Sequence, residues 1–216
     1  MNAIHRRYTR MPFCQAGQKI GLFGGSFNPP HEGHVHVGEQ ALRRLHLDQV
    51  WWLVTPGNPL KNNDNLSPLP DRIAACEAIT RDPRMKITAC ELDLPTRYTA
   101  DTLAHIVQRN PRVDFVWIMG ADNLGQFHRW QRWRDIANLM PIAVIDRPGS
   151  TLYLHSSKAA QALRWARVDE DDAPTLARFR PPAWTFLHGP RSSLSSTAIR
   201  AKLALAADGK KPGKQK

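Results

Sequence analysis

Short apolar runs alternate with stretches of helical spacing from one end of the chain to the other. That alternation constrains the fold more than any other feature. Strand-like runs fall at residues 19–23, 50–54, 85–89, 113–119, 142–145 and 184–187. Helical spacing falls at 35–45, 71–80, 100–109, 130–139, 157–167 and 196–206. A strand, a helix and a second strand in succession make a βαβ unit, and repeated units build a parallel sheet covered by helices on both faces. The 216 residues suit one domain with a substantial core. The expected fold class is therefore α/β, a Rossmann-like doubly wound parallel sheet in a single domain. A strand order three-two-one-four-five would put strands one and four side by side where the order reverses, and such sheets bind ligands there, at the carboxyl ends of the strands.

The rest of the chain reads as connections and ends. Residues 58–70 are polar and proline-rich, hence a loop, and 169–182 are acidic and proline-rich, hence a surface excursion. Residues 1–17 are expected to be a flexible arm, 18–207 the domain, and 208–216 a flexible basic tail. The formal charge is +11, but much of it sits in the ends, as Arg6, Arg7, Arg10, Lys210, Lys211, Lys214 and Lys216. No aromatic residue interleaves the C-terminal lysines and no RNA-binding module is present, so nucleic acid is not expected as a partner. The remaining excess suits an anionic small substrate. No apolar run approaches the ~18–20 residues of a membrane span, and the N-terminus has no apolar signal core. Cys14, Cys76 and Cys90 lack paired spacing, which points to a reducing compartment. A cytoplasmic protein is expected; its oligomeric state is left open.

Residues 20–34, IGLFGGSFNPPHEGH, hold the densest chemical signal. They read as a buried strand, a glycine-rich turn, and two histidines where a helix begins. Gly24 and Gly25 at a strand exit let backbone approach a ligand closely. A helix start offers N–H donors and partial positive charge to a phosphate. His31 and His34 are three apart and share one helical face. The segment is built for a polyphosphate without a lysine P-loop, since neither G-x-G-x-x-G nor G-K-[ST] occurs.

Further motifs follow in order: RYTADTL at 97–103, IMGADNL at 118–124, FHRWQRW at 127–133 and LSSTAIR at 194–200. With the H-x-G-H of His31 to His34, they resemble the bacterial nicotinate-nucleotide adenylyltransferases of the H-x-G-H nucleotidyltransferase superfamily. The resemblance runs from about Lys19 to Leu203. It implies adenylyl transfer from ATP to nicotinate mononucleotide, giving deamido-NAD and pyrophosphate in NAD biosynthesis. The mononucleotide phosphate would attack the ATP α-phosphorus directly, so that catalysis is positioning and charge stabilisation.

The same resemblance assigns roles. His31, His34 and Arg200 are the expected catalytic residues. His34 would stabilise charge on the α-phosphate, and Arg200 would reach the β- and γ-phosphates. The backbone at Gly24, Gly25, Ser26 and Phe27 would lie along the reacting phosphates. Ser195, Ser196 and Thr197 would cap the last helix and offer N–H groups to an anion. Gly120 and Asp122 belong to the ATP side, Asp122 facing the ribose. Tyr98, Thr99 and Trp130 would form the nicotinate mononucleotide site: Trp130 stacking on the pyridine ring, Thr99 beside its carboxylate. Trp133 is expected in the core. Lys61 and Arg147 are weaker candidates, as a phosphate-side cation and an adenine neighbour. Position 28 departs from the family, with Asn where Asp is frequent, and this weakens any carboxylate role there.

No metal site is expected in the protein itself. His31, His34 and His36 lack a completing Cys or carboxylate set, and H-E-x-x-H is absent. Mg²⁺ is expected to arrive with ATP, held by phosphates and water. Two other readings compete: a superfamily member acting on phosphopantetheine, and a basic nucleic-acid-binding protein on a Rossmann-like scaffold.

Overall fold

A computed structural model of the chain describes residues 6–57, 65–96, 98–146 and 157–189. Its strands are β1 (Lys19–Gly25), β2 (Gln49–Val54), β3 (Met85–Thr88), β4 (Asp114–Gly120), β5 (Ile142–Ile145) and β6 (Trp184–Leu187). They form one sheet in the order β3-β2-β1-β4-β5-β6, with every neighbouring pair parallel. The expected order holds, and β6 adds an edge beyond β5. The helices described are α1 (Arg6–Thr9), α2 (Glu32–Arg44), α3 (Leu69–Ile79), α4 (Thr99–Arg109), α5 (Ala121–Phe127), α6 (Trp133–Leu139) and α7 (Lys158–Ala162).

Successive strand side chains point to opposite faces, and here both faces are buried. Ile20, Leu22, Trp51, Leu53, Trp117 and Met119 face one layer, where Leu103 and Ile106 of α4, Leu124 and Phe127 of α5, and Ile136 of α6 meet them. Phe23, Val50, Trp52, Val116 and Ile118 face the other, against Val37, Ala41 and Leu42 of α2 and Ile73 and Cys76 of α3. This two-sided burial is why the strands read as unbroken apolar runs rather than alternating ones.

Several expectations change. Residues 169–182 are not merely a surface excursion: Glu170–Arg178 is a 3₁₀ helix whose Ala173, Leu176 and Ala177 are buried in the second layer. Its acidic outer face hid a thin apolar one. The helix expected at 130–139 begins only at Trp133, because Arg132 takes a left-handed φ of 55° and interrupts it. Helix α5, just before, was read only as a motif. The helix expected at 157–167 divides into α7 and a 3₁₀ turn at Arg164–Ala166. The helix expected at 196–206 and the tail at 208–216 lie outside the described residues.

The segment expected as an arm is packed from residue 6 onward. The Tyr8 carbonyl accepts the Ala89 N–H at 2.7 Å and the Thr88 hydroxyl at 3.0 Å, and the Tyr8 hydroxyl donates to Glu77 at 2.6 Å. Met11 and Cys14 pack against the first layer, and the Gly17 N–H donates to the Arg112 carbonyl at 2.7 Å. The bonds to the Tyr8 carbonyl fasten the segment to the end of the edge strand β3, a place where unpaired backbone would otherwise invite another chain.

Candidate active site

A crevice opens at the switch point because the central ladder stops early. Pairing of β1 with β4 ends at Phe23 and Ile118. Beyond that, β1 continues beside β2 alone, to Gly25 and Val54, while β4 continues beside β5 alone, to Gly120 and Ile145. Gly24, Gly25 and Gly120 therefore flank a gap between diverging strand ends. Gly24 is a close-approach position, since a Cβ there would sit 2.5 Å from the Trp117 ring. The chain then turns through Phe27, whose φ of 46° is left-handed. Such a non-glycine conformation costs about 1–3 kcal/mol and persists only when its surroundings enforce it. Phe27 is buried, stacks on Trp52 at 4.8 Å between centroids, and meets His34 edge-on at 5.0 Å.

The two histidines cap α2 reciprocally. His31 is the N-cap residue, and its Nδ1 accepts the Gly33 N–H at 3.1 Å; the Nδ1 of His34 accepts the His31 N–H at 3.2 Å. This is a capping box with imidazoles in place of the usual Ser/Thr and Glu/Gln side chains. Both Nδ1 atoms being acceptors, the proton of a neutral ring sits on Nε2 in each case. The rings lie 3.9 Å apart between centroids, and both side chains are buried. Sequence spacing placed them on one face; the reciprocal cap, which fixes their tautomers, was not legible because histidine is not a usual capping residue.

On the other side of the gap, Gly120 is the extended N-cap of α5, and Asp122 stands exposed in the first turn of that helix. Tyr98 caps α4 with extended backbone and no side-chain capping bond, and Thr99 opens the helix half-buried. Trp130 lies in the turn between α5 and α6, half-buried, edge-on to Trp117 at 6.1 Å and Phe127 at 5.5 Å. It thus packs on the core through one side and keeps partial exposure. Trp133 is buried, as expected. Arg132 ties these elements together, bonding Asp101 of α4 at 2.6 Å and Asp135 of α6 at 2.6 Å. Those pairs are partly exposed, worth about 0–1 kcal/mol each, so they orient more than they stabilise. Ser195, Ser196, Thr197 and Arg200, with Lys61 and Arg147, lie outside the described residues.

Two contributors escaped the sequence reading, and a third, Asn28, was noted there without the use found here. Arg72 of α3 is buried and donates to the carbonyls of Ser67 at 2.9 Å, Ser26 at 2.7 Å, Thr55 at 2.8 Å and Pro56 at 3.3 Å. Glu91 is half-buried beyond β3, and burial, opposed in part by the Thr55 and Thr102 hydroxyls, pushes its carboxyl above the ordinary range. Asn28 clips the glycine turn to the following loop: its Nδ2 donates to the Asn65 carbonyl at 2.9 Å and its Oδ1 accepts the Ser67 N–H at 3.1 Å. Only an amide supplies both a donor and an acceptor here. Asn28→Asp would set an anionic oxygen against the Asn65 carbonyl. The expected loss is about 1–3 kcal/mol, read as a thermal midpoint lower by about 2–4 °C per kcal/mol. An unchanged midpoint would contradict the clip.

Among the described residues no group of three or more His, Cys, Asp or Glu side chains is placed to hold a metal ion. The buried thiols are inert by environment: desolvation pushes Cys76 up to about 12 and Cys90 up to about 11.

Comparison with known proteins bears on the family and the fold. A profile of the family described as cytidylyltransferase-like matches residues 22–202. A "probable nicotinate-nucleotide adenylyltransferase" from Mesorhizobium japonicum is 64% identical over 190 residues, covering 88% of this chain and 97% of the relative. One of the same description from Agrobacterium fabrum is 65% identical over 181 residues, covering 84% and 97%. Among solved structures, a nicotinic acid mononucleotide adenylyltransferase of Plasmodium falciparum complexed with NaAD superposes with a TM-score of 0.61 at 18% identity, covering 85% of this chain and 83% of that one. At that identity the likeness speaks for the fold alone.

Proposed function

Since the chain belongs to the cytidylyltransferase-like family, and within it to the nicotinate-nucleotide adenylyltransferases, we infer that it transfers the adenylyl group of ATP to nicotinate mononucleotide. The products are deamido-NAD and pyrophosphate. The observation that carries this reading is the pair of mutually capped histidines at the start of α2, the helix that follows β1 and its glycine turn. Two fixed donors beside a glycine turn and a helix start suit a polyphosphate.

The proposed step is an in-line displacement. A phosphate oxygen of the mononucleotide attacks the ATP α-phosphorus, the bond to the bridging oxygen breaks, and pyrophosphate leaves with the electron pair. No protein nucleophile takes part, which accords with the inert buried thiols. His31 and His34 donate through Nε2 to the phosphates, and His34 meets the charge that grows on the α-phosphate. The backbone at Gly24, Gly25, Ser26 and Phe27 runs alongside. Ser195, Ser196, Thr197 and Arg200 are assigned to the β- and γ-phosphates, Gly120 and Asp122 to the adenosine, and Tyr98, Thr99 and Trp130 to the nicotinate mononucleotide. Magnesium is proposed to enter as the ATP complex. Phosphate oxygens and water would hold it there. The proposed setting is the cytoplasm; none of the described helices is long and apolar enough to cross a membrane.

Pyrophosphate release from ATP, measured against a panel of acceptors, tests the reading. Nicotinate mononucleotide should support turnover and phosphopantetheine should not. The reverse pattern would move the chain to another branch of the family.

A further inference from the structure

Arg72 is a buried cation whose hydrogen-bond partners among the described residues are all carbonyl oxygens, on three separate segments. They are Ser26 in the glycine turn, Thr55 and Pro56 after β2, and Ser67 before α3. A guanidinium has five donors in a fixed fork, and four bonds to spread acceptors use it in a way a lysine ammonium could not. Carbonyl dipoles compensate its charge only in part. Burial accordingly holds the guanidinium below its ordinary pKa, and an arginine side chain keeps its charge in proteins.

The Ser26 contact has a directional consequence. The Ser26–Phe27 peptide is not among the cis bonds of the chain, so its carbonyl and N–H point in opposite directions. With the carbonyl drawn onto Arg72 at 2.7 Å, the Phe27 N–H is turned to the far side of the turn. The left-handed φ of Phe27 belongs to the same locked conformation. We propose that Arg72 is the positioning residue of this turn, holding the Ser26–Phe27 peptide so that its N–H is presented to the transferred phosphate while a buried positive charge lies behind it. Arg72 touches no substrate in this account. The inference rests on the adenylyl-transfer reading and adds to it a residue that acts through the backbone. Preorganised donors of this kind act most strongly in the transition state.

The test compares the parent enzyme with Arg72→Lys and Arg72→Gly. The readouts are thermal midpoint, kcat, KM for each substrate, pyrophosphate affinity by calorimetry, and rescue by added guanidinium. Arg72→Lys is expected to lower kcat by at least about tenfold and weaken pyrophosphate binding by a similar factor, with KM for nicotinate mononucleotide changed less than about twofold. Guanidinium should recover part of the kcat of Arg72→Gly. If Arg72→Gly does not fold, Arg72→Lys decides alone. A lysine variant with parental kcat and pyrophosphate affinity overturns the proposal. So does one that is merely less stable, with losses shared evenly between both substrates. A parent enzyme inactive with ATP and nicotinate mononucleotide would instead overturn the reaction, and the pyrophosphate comparison would still judge Arg72.

Discussion

His34→Ala is expected to lower kcat about 10²–10³-fold while moving the KM for ATP far less. The reason is differential: a donor aimed at charge that develops during transfer contributes little to the ground state. Alanine also removes the Nδ1 acceptor that caps the His31 N–H at 3.2 Å, and a lost cap costs about 1 kcal/mol of stability. His34→Gln separates the two effects. Glutamine at the third helical position is an ordinary capping-box partner and can accept the same N–H, but it offers no imidazole Nε2–H. The glutamine variant should therefore keep the parental thermal midpoint and still lose most of its turnover. A folded variant of either kind that loses less than about threefold in kcat would remove His34 from the chemistry and leave it a structural cap.

The second large effect concerns the acceptor. The enzyme is expected to prefer nicotinate mononucleotide over the nicotinamide mononucleotide by about ten- to a hundredfold in kcat/KM. Trp130 offers a π-face to either ring, so stacking cannot choose between them. The choice falls to the exocyclic group. A carboxylate only accepts hydrogen bonds, whereas an amide also carries two donor hydrogens. The start of α4, with no side-chain cap at Tyr98 and the Thr99 hydroxyl beside it, is a donor-rich end that suits an anion. An amide would turn its NH₂ toward one of those donors, and a buried donor left unsatisfied costs about 1–3 kcal/mol. Equal kcat/KM values would mean that donors do not line this end, and preference for the amide would place the acceptor chemistry elsewhere.

Much of the fold was legible because local pattern and burial agree. Strands such as 113–119 are apolar on both faces, and two-sided burial leaves that mark directly in the sequence. The misreadings have local causes. Arg132 takes a left-handed φ that no propensity announces, so the helix through Trp130 was drawn three residues too long. The acidic segment after Asp169 looked like a solvent loop because only Ala173, Leu176 and Ala177 turn inward. At the candidate site, the placement of Gly24 and Gly25 at a strand exit and of His31 and His34 at a helix start was legible. Residues that act through backbone carbonyls were not. The carbonyls that Arg72 bonds all lie outside its own helix, so in the sequence it looks like a solvated arginine. Asn28 shows its value only once Asn65 and Ser67 come within reach.

The central claim is tested most directly by following product formation from purified protein, ATP, nicotinate mononucleotide and magnesium. Deamido-NAD, identified by mass, should accumulate in amounts equal to the pyrophosphate released, and omitting either substrate should abolish both. A folded preparation that forms no deamido-NAD, or that releases pyrophosphate without it, would contradict the account.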